Sequence, residues 1–260
     1  MRIATWNING VKARLDTATN WLRSAQPDIV CMQETKSADE AFPTEPFEDL
    51  GYNLSLHGKK GFNGVAILSK LPLEDVSRGL PGDDTDDQPR FIEAVVSFGD
   101  AALRVASIYL PNGNPVGTEK FDYKLRWIER LVAWTRTRLA ADEAFLIGGD
   151  FNIIPDERDA RFPEAWTGDA LFQPESRHAW RRLINLGLTD AFRTTNSADG
   201  HYTFWDYQAG AWQKNNGIRI DHFLMSPSAA DLLAATAIDK RVRGWDKPSD
   251  HVPMMVELAA

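Results

Sequence analysis

Short apolar runs rich in β-branched and aromatic residues recur along the whole chain, and they limit its fold more than any other feature. They cover residues 3–8, 28–33, 52–56, 64–69, 91–98, 103–110, 144–148, 202–207, 220–225 and 252–258. Runs of about four to eight residues bounded by turn formers read as strands. Helical periodicity lies between some of them. Val11, Leu15, Ala18 and Leu22 share one helical face. Phe121, Leu125, Ile128, Val132 and Leu139 form a longer stripe. Trp180, Leu183, Ile184 and Leu188 form a third, with Gly187 near its end. No linker-like segment splits the chain. Residues 1–260 are therefore expected to form one α/β domain, with sheets packed on each other and helices outside.

The chain has 260 residues, enough to bury a substantial core. It is 43% hydrophobic and 25% charged, the balance of a soluble protein. No apolar run approaches the ~20 residues that span a bilayer. The N-terminal segment has no signal-like apolar region, so no secretory signal is expected. The single cysteine, Cys31, lies in an apolar run and reads as a core residue, since one cysteine forms no internal disulfide. A reducing cytoplasm fits these features. The formal net charge of −8 weighs against a non-specific coat on nucleic acid. It fits an enzyme with a carboxylate-rich metal site and a local basic rim. The acidic stretch Gly82–Pro89 lacks the bidentate Glu and ordered alternation of a calcium loop, and reads as a solvated loop.

Polar groups gather where the apolar runs stop. Asn7 and Asn9 follow the first run and Glu34 and Lys36 the second. Tyr109 and Asn112, then Asp150 and Asn152, follow two later runs. Asp221 and the pair Asp250–His251 stand beside the last two. Ligands of α/β proteins bind at strand ends. Each group alone has a plain reading. Glu34 can be a solvated acid, and Asp150 can accept the Asn152 amide in a turn. Tyr109 can be an edge residue with a wet hydroxyl. Together, oxygen donors at separate strand ends suit a hard cation such as Mg²⁺ or Mn²⁺. Zinc fits poorly, because there is no cysteine cluster and no HExxH. A serine hydrolase fits poorly as well, because there is no GxSxG. A hard cation with Asp, Asn, Tyr and a His–Asp pair points to phosphoryl-ester hydrolysis.

The ordered set TWNING, QETK, YLPNG, GGDFN, RIDHF and PSDH resembles the endonuclease/exonuclease/phosphatase superfamily. Within it, the chain resembles the exodeoxyribonuclease III branch of abasic-site endonucleases, from Trp6 to His251. The resemblance implies a four-layered α/β sandwich of the deoxyribonuclease I-like type, two mixed sheets face to face with helices outside. It implies a Mg²⁺ cofactor, with Mn²⁺ as a substitute. Glu34 would be the principal ligand with Asn7 beside it. Asp150 and Asn152 would also lie at the metal, and Asp250 would be a second-site ligand. Asp150 would orient or deprotonate the attacking water, and Asn152 would hold Asp150 and the phosphate. Tyr109 would contact the scissile phosphate. His251, counted among the metal-site residues, would bond a phosphate oxygen, with Asp221 holding its imidazole.

On this resemblance the chain would cut double-stranded DNA 5′ to abasic sites. It would also act on 3′ ends as a 3′–5′ exonuclease and as a 3′-phosphatase or phosphodiesterase. Phe204, Ile218 and Ile220 would line an apolar pocket for a flipped-out sugar without its base. Ile218 stands where eukaryotic relatives carry tryptophan, which argues for a bacterial, cytoplasmic enzyme, expected to be a monomer. Candidate DNA contacts are Lys36, Lys59, Lys60, Arg90, Lys120, Lys124, Arg158, Arg161 and Lys214. Trp212, on a polar loop, would either enter a groove or pack the loop down. The alternative function is a phosphatase or phosphodiesterase acting on a small or lipid phosphate. A third reading, a nucleic-acid-binding protein with a relic site, is disfavoured because each motif position holds a competent residue.

Overall fold

Side-chain alternation along the first strand sets the layering. In β1 (Arg2–Asn7), Ile3 enters a core shared by two sheets, while Ala4 and Trp6 face a layer of helices. The computed structural model describes residues 1–99 and 101–259. The later strands are β2 (Ile29–Gln33), β3 (Asn53–His57), β4 (Val65–Ser69), β5 (Glu74–Arg78) and β6 (Phe91–Phe98). They continue with β7 (Ala101–Tyr109), β8 (Phe145–Asp150), β9 (Thr189–Asp190), β10 (Asp221–Met225), β11 (Leu233–Ile238) and β12 (Met254–Leu258). Among the described residues they form two six-stranded mixed sheets, ordered β11-β12-β1-β2-β4-β3 and β5-β6-β7-β8-β10-β9.

The helices are α1 (Leu15–Ala25), α2 (Glu45–Glu48), α3 (Glu119–Ala140), α4 (Pro174–Asn185), α5 (Ala191–Thr195) and α6 (Pro227–Ala230). Trp21 and Leu22 of α1 and Phe47 of α2 cover the outer face of the first sheet. Trp127, Ile128 and Leu131 of α3, with Trp180 and Leu183 of α4, cover the second. The result is the expected four-layered sandwich. No helix among the described residues is long and apolar enough to cross a membrane.

The core between the sheets is apolar over most of its length. Ile29, Cys31, Val65 and Ile67 of one sheet meet Val105, Leu146, Phe223 and Met225 of the other. Gly148 leaves room in this core for the Phe223 ring of the adjacent strand, because a Cβ there would come within 2.4 Å of it. Towards one end the same faces turn polar. Thr5 donates to Gln33 at 3.3 Å, and Gln33 donates to Ser107 at 3.1 Å. Beyond them lie Asn7, Tyr109, Asp150 and Asp221.

Three differences from the sequence reading have clear causes. The run 202–207 is not a strand. Phe204 makes only isolated bridges to Ile218 and His251, because this segment crosses the sheet end instead of joining it. β5, β9 and β11 escaped the apolar-run criterion. β5 (EDVSR) is a charged edge strand, β9 has two residues, and β11 (LAATAI) is an alanine-rich edge strand. The buried face of α3 runs through Phe121, Lys124, Trp127, Ile128, Leu131 and Val132, so Leu125 and Leu139 sit at its margin.

Candidate active site

Strand register brings the strand-end groups together. In the second sheet Tyr109 pairs with Asp150, and Asp150 pairs with Asp221. In the first, Asn7 pairs with Gln33, so Glu34 emerges beside it. The sheets face each other, and Asn7 bridges them. Its amide nitrogen donates to Glu34 Oε1 at 2.9 Å and to Asp150 Oδ2 at 3.0 Å. Its Oδ1 accepts from the Asn9 backbone. Asn7 therefore turns nitrogen, not oxygen, towards the two carboxylates, which differs from the ligand role expected of it.

Glu34 is held from both sides. Lys36 Nζ lies 2.8 Å from Glu34 Oε2 and 2.5 Å from Asn9 Oδ1. Burial alone would raise the Glu34 pKa, but hydrogen bonds from Asn7 and Lys36 overcome it and hold the carboxyl below its usual range. Lys36, expected on DNA, is thus committed to Glu34. Burial, with Glu34 and Asp150 close by, raises the Tyr109 pKa well above the usual phenol value. Arg90 stacks over the Tyr109 ring at 4.9 Å and bonds the Tyr109 carbonyl, so it braces this tyrosine.

His251 lies opposite. Its Nδ1 is 2.8 Å from Asp221 Oδ2, and its Nε2 is 3.7 Å from Asp150 Oδ2. The expected His251–Asp221 bond, between residues of two different motifs, is present. Burial by itself would lower the imidazole pKa, but Asp221 and Asp150 raise it to about 10. Asp150 is buried and pushed up to about 7, with Asp221 adding to burial and His251 opposing it. Held between two carboxylates, the imidazole favours the charged form that a phosphate oxygen would meet, and it also lies with Asp150 and Asp221 in one group of possible metal ligands.

Asn152 accepts from Asn112 Nδ2 at 3.1 Å and donates from Nδ2 to Leu110 O at 2.8 Å. Its Oδ1 thus has one of its two lone pairs engaged by Asn112. Its backbone N donates to Asp150 Oδ1 at 2.9 Å, so the turn reading of Asp150 holds alongside the site reading. Asp250 accepts from Asn9 Nδ2 at 2.9 Å, and Asn9 links it to Lys36. Asn9, Glu34, Lys36 and Asn152 all adopt positive φ, between 47° and 52°. Left-handed backbone in non-glycine residues costs ~1–3 kcal/mol each and gathers where side chains must be aimed.

The donor set suits a hard cation. Ligand atoms of Asp150, Asp221 and His251 lie within 4.8 Å of one another. Asp221 Oδ1 is buried without a hydrogen-bond partner among the described residues. A buried carboxylate oxygen without a partner, beside the second acid Asp150, calls for positive charge.

An apolar cluster flanks the site. Ile218 and Ile220, with Ile154, Ala160, Leu171 and Phe172, pack under Phe204, which meets the His251 ring edge-on at 4.9 Å. Phe204 is partly exposed, whereas Ile218 and Ile220 are only 1% and 2% exposed. The two isoleucines form the base of the cluster and not its open surface. Trp212 stacks edge-on against Trp205 at 4.9 Å, and Lys214 bonds Ala209 within the same loop. Trp212 packs its loop down while remaining partly exposed. Lys124, expected on DNA, is buried. The exposed aromatics are elsewhere. Phe62 is 51% exposed beneath Lys59, Phe162 is 45% exposed beneath Arg161, and Tyr207 is 49% exposed and bonded to Arg14. Backbone bonds tie the loops of Phe62 and Phe162 to Lys36 and Gly217, and the Tyr207 hydroxyl donates to Pro248 O, beside the motifs that carry Glu34, Ile218 and Asp250.

Sequence reasoning placed Asn9 and Asn112 at the strand ends without giving either a role, and it missed the clamp of Lys36 on Glu34, although all lie inside the quoted motifs. It also missed Thr203, whose Oγ1 accepts the backbone N–H groups of both Ile220 and Asp221.

The family model described as endonuclease/exonuclease/phosphatase matches residues 4–251. The chain belongs to this family. It is 36% identical to exodeoxyribonuclease III of Haemophilus influenzae, over 99% of this chain and all of that protein. Among solved structures, an AP endonuclease from Archaeoglobus fulgidus superposes with a TM-score of 0.94 at 34% identity, covering both chains fully. The 3′ phosphatase NExo from Neisseria, bound to a product DNA hairpin, gives the same TM-score of 0.94 at 34% identity, again over both chains. These relatives match over the whole chain, as does the fold they share.

Proposed function

We propose that the protein is a Mg²⁺-dependent DNA repair nuclease that cleaves 5′ to abasic sites and processes 3′ ends. One observation carries the reading. Glu34, Asn7 and Asp150 converge with the Asp221–His251 pair at one end of the cleft between the sheets. The exodeoxyribonuclease III and AP endonuclease relatives support the substrate class. The exposed aromatics beneath or beside cations around the centre supply faces on which bases and sugars stack, on a protein whose net charge is −8.

Glu34 and Asp150 would hold the cation, joined by Asn7. When bound, it neutralises phosphate charge and polarises the P–O bond. Asp150, with its raised pKa, takes the proton of the attacking water. His251, charged and fixed by Asp221, donates towards a non-bridging phosphate oxygen as negative charge develops. Tyr109 donates its hydroxyl hydrogen to the same phosphate, braced by Arg90. Phe204 and the cluster beneath it offer an apolar surface to a sugar without a base, whose flipping costs least.

One gel tests the proposal. An abasic duplex, a recessed 3′ end and a 3′-phosphate end are each incubated with Mg²⁺ and with EDTA. Incision at the abasic site, dependent on Mg²⁺, is expected. Turnover of inositol phosphates with no action on any of the three DNA substrates would assign the small-phosphate branch instead.

A further inference from the structure

Helix α3 carries a charge that its packing does not require. Lys124 is fully buried on the face of α3 that covers the second sheet. Its ammonium donates to three carbonyls: Asn152 O at 2.6 Å, Asn112 O at 3.0 Å and Ala170 O at 3.3 Å. All three hydrogens are used, and none of the acceptors is a carboxylate. Burying an ammonium with no carboxylate in hydrogen-bond contact is costly: burial pushes the Lys124 pKa down to about 7 although Asp169 and Asp150 oppose the shift, and an apolar chain of similar length would pack the same face.

The three carbonyls belong to three separate segments: the loop after β7, the chain leaving β8, and the turn before α4. Two of these segments carry Asn112 and Asn152, whose side chains bond each other at 3.1 Å. Asn152 in turn donates its backbone N–H to Asp150. Gly113 lies flat on the lysine stem, and a Cβ there would come within 2.6 Å of Lys124 Cδ. The left-handed backbone of Asn152, at φ 47°, needs such over-determination.

We propose that Lys124 is a positioning residue of the active centre. Its ammonium ties the Asn112 loop to the Asn152 backbone, and so sets the Asn112–Asn152 pair against Asp150. This rests on the nuclease reading above for its kinetic consequence, but not for the tether itself.

The test uses K124M in the full chain. kcat and KM are measured on the abasic duplex at saturating Mg²⁺, together with the melting temperature. The side-chain amide signals of Asn112 and Asn152 are followed by NMR. Displacing an aligned group by about 1 Å costs up to about 100-fold in rate, so kcat should fall about 10- to 100-fold while KM stays within about threefold. The melting temperature should change by only a few degrees, because relief of a buried charge is set against three carbonyls that lose their lysine donor. The Asn152 and Asn112 amide signals should shift or broaden. Wild-type kcat in folded K124M would overturn the proposal, as would unmoved Asn signals. So would a loss of kcat matched by a melting temperature lowered beyond this range and raised KM. If K124M does not fold, K124Q, whose shorter amide reaches at most one of the carbonyls, is held to the same outcomes. A wild-type protein inert on DNA would sink the nuclease reading alone, since the NMR signals read the tether without turnover.

Discussion

Asp221 and His222 are neighbours on β10, yet they serve two buried charge clusters of opposite character. On the inner face, Asp221 joins Asp150, Glu34 and His251, and its Oδ1 has no partner among the described residues. On the outer face, His222 joins Arg219, which is wholly buried. Arg219 reaches Asp159 at 2.7 Å, Asp190 at 2.9 Å and His222 Nδ1 at 2.9 Å, while His222 Nε2 meets Ile153 O at 3.1 Å. In this outer knot the charges are closely compensated. In the inner cluster acids outnumber cations and an oxygen is left over. The histidines record the contrast. Burial and Arg219 push His222 down to about 3, whereas the acids raise His251 to about 10 despite burial. Satisfied polar networks specify a fold. Unsatisfied ones sit where a ligand supplies the missing partner.

The largest expected effects break the inner cluster. Asp150→Asn or Glu34→Ala should lower turnover of an abasic duplex by about a thousandfold or more, because general-base and metal functions are lost together. For Asp150→Asn the melting temperature of the metal-free protein should hold or rise, since like charges are relieved, whereas Glu34→Ala gives up the bonds to Lys36 and Asn7 and its melting temperature should fall slightly. A variant that loses activity and stability in proportion would make this cluster structural, and erase the contrast.

Arg219→Met probes the outer knot. It leaves Asp159 and Asp190 buried without their cation, and should cost about 3–5 kcal/mol in urea unfolding. The fraction that stays folded should cut DNA with a kcat close to wild type. A large loss of kcat in fully folded protein would show that the knot takes part in the chemistry.

Acid and alkali should separate the two histidines in the metal-free protein. The unfolded His222 binds a proton near pH 6.5, whereas the folded one resists it until about pH 3. The unfolded state therefore holds more protons in this window, and stability falls as pH drops through it. His251 acts in the opposite sense. Its contribution is complete below about pH 6.5 and is lost as pH rises towards 10. His222→Asn should flatten the acid limb of stability against pH, and His251→Asn the alkaline limb, each by ~1–3 kcal/mol. Chemical denaturation across pH in EDTA measures both. Identical limbs in both variants would contradict the assignment.

Thr203→Val is the finest probe. It removes the oxygen that accepts the Ile220 and Asp221 amides where the two clusters share a strand. Two unmet buried donors should cost ~1–3 kcal/mol, with a loss of kcat under about tenfold. A kcat loss as large as that of Asp150→Asn would mean that Asp221 depends on this single hydroxyl for its position.

Much of this molecule was legible in local patterns. Apolar runs located most of the strands of both sheets, and the helical stripes located α1, α3 and α4. The polar residues closing those runs, from Asn7 to His251, are the ones that converge. The edge strands β5 and β11 were not legible, because neither is buried on both faces and so neither carries a continuous apolar run, whereas the edge strand β3 was located by the run 52–56. Trp212 could not be decided, because an aromatic on a polar loop looks the same whether it meets solvent or Trp205. Lys124 was misread in spite of a usable signal, since its spacing from Phe121 and Ile128 puts it on the buried face of α3.

By itself, then, the sequence determined the kinds of element, the α/β class and the set of groups capable of phosphoryl chemistry, because these depend on residue type and short spacing. Only the tertiary structure decided which group meets which. Asn7 reaches Asp150 across 143 positions of chain, and His251 reaches Asp221 across 30. Those meetings depend on sheet order, strand register and the distance between two packed faces, and no local pattern encodes them. The same geometry decided protonation, for it placed His222 against an arginine and His251 between carboxylates.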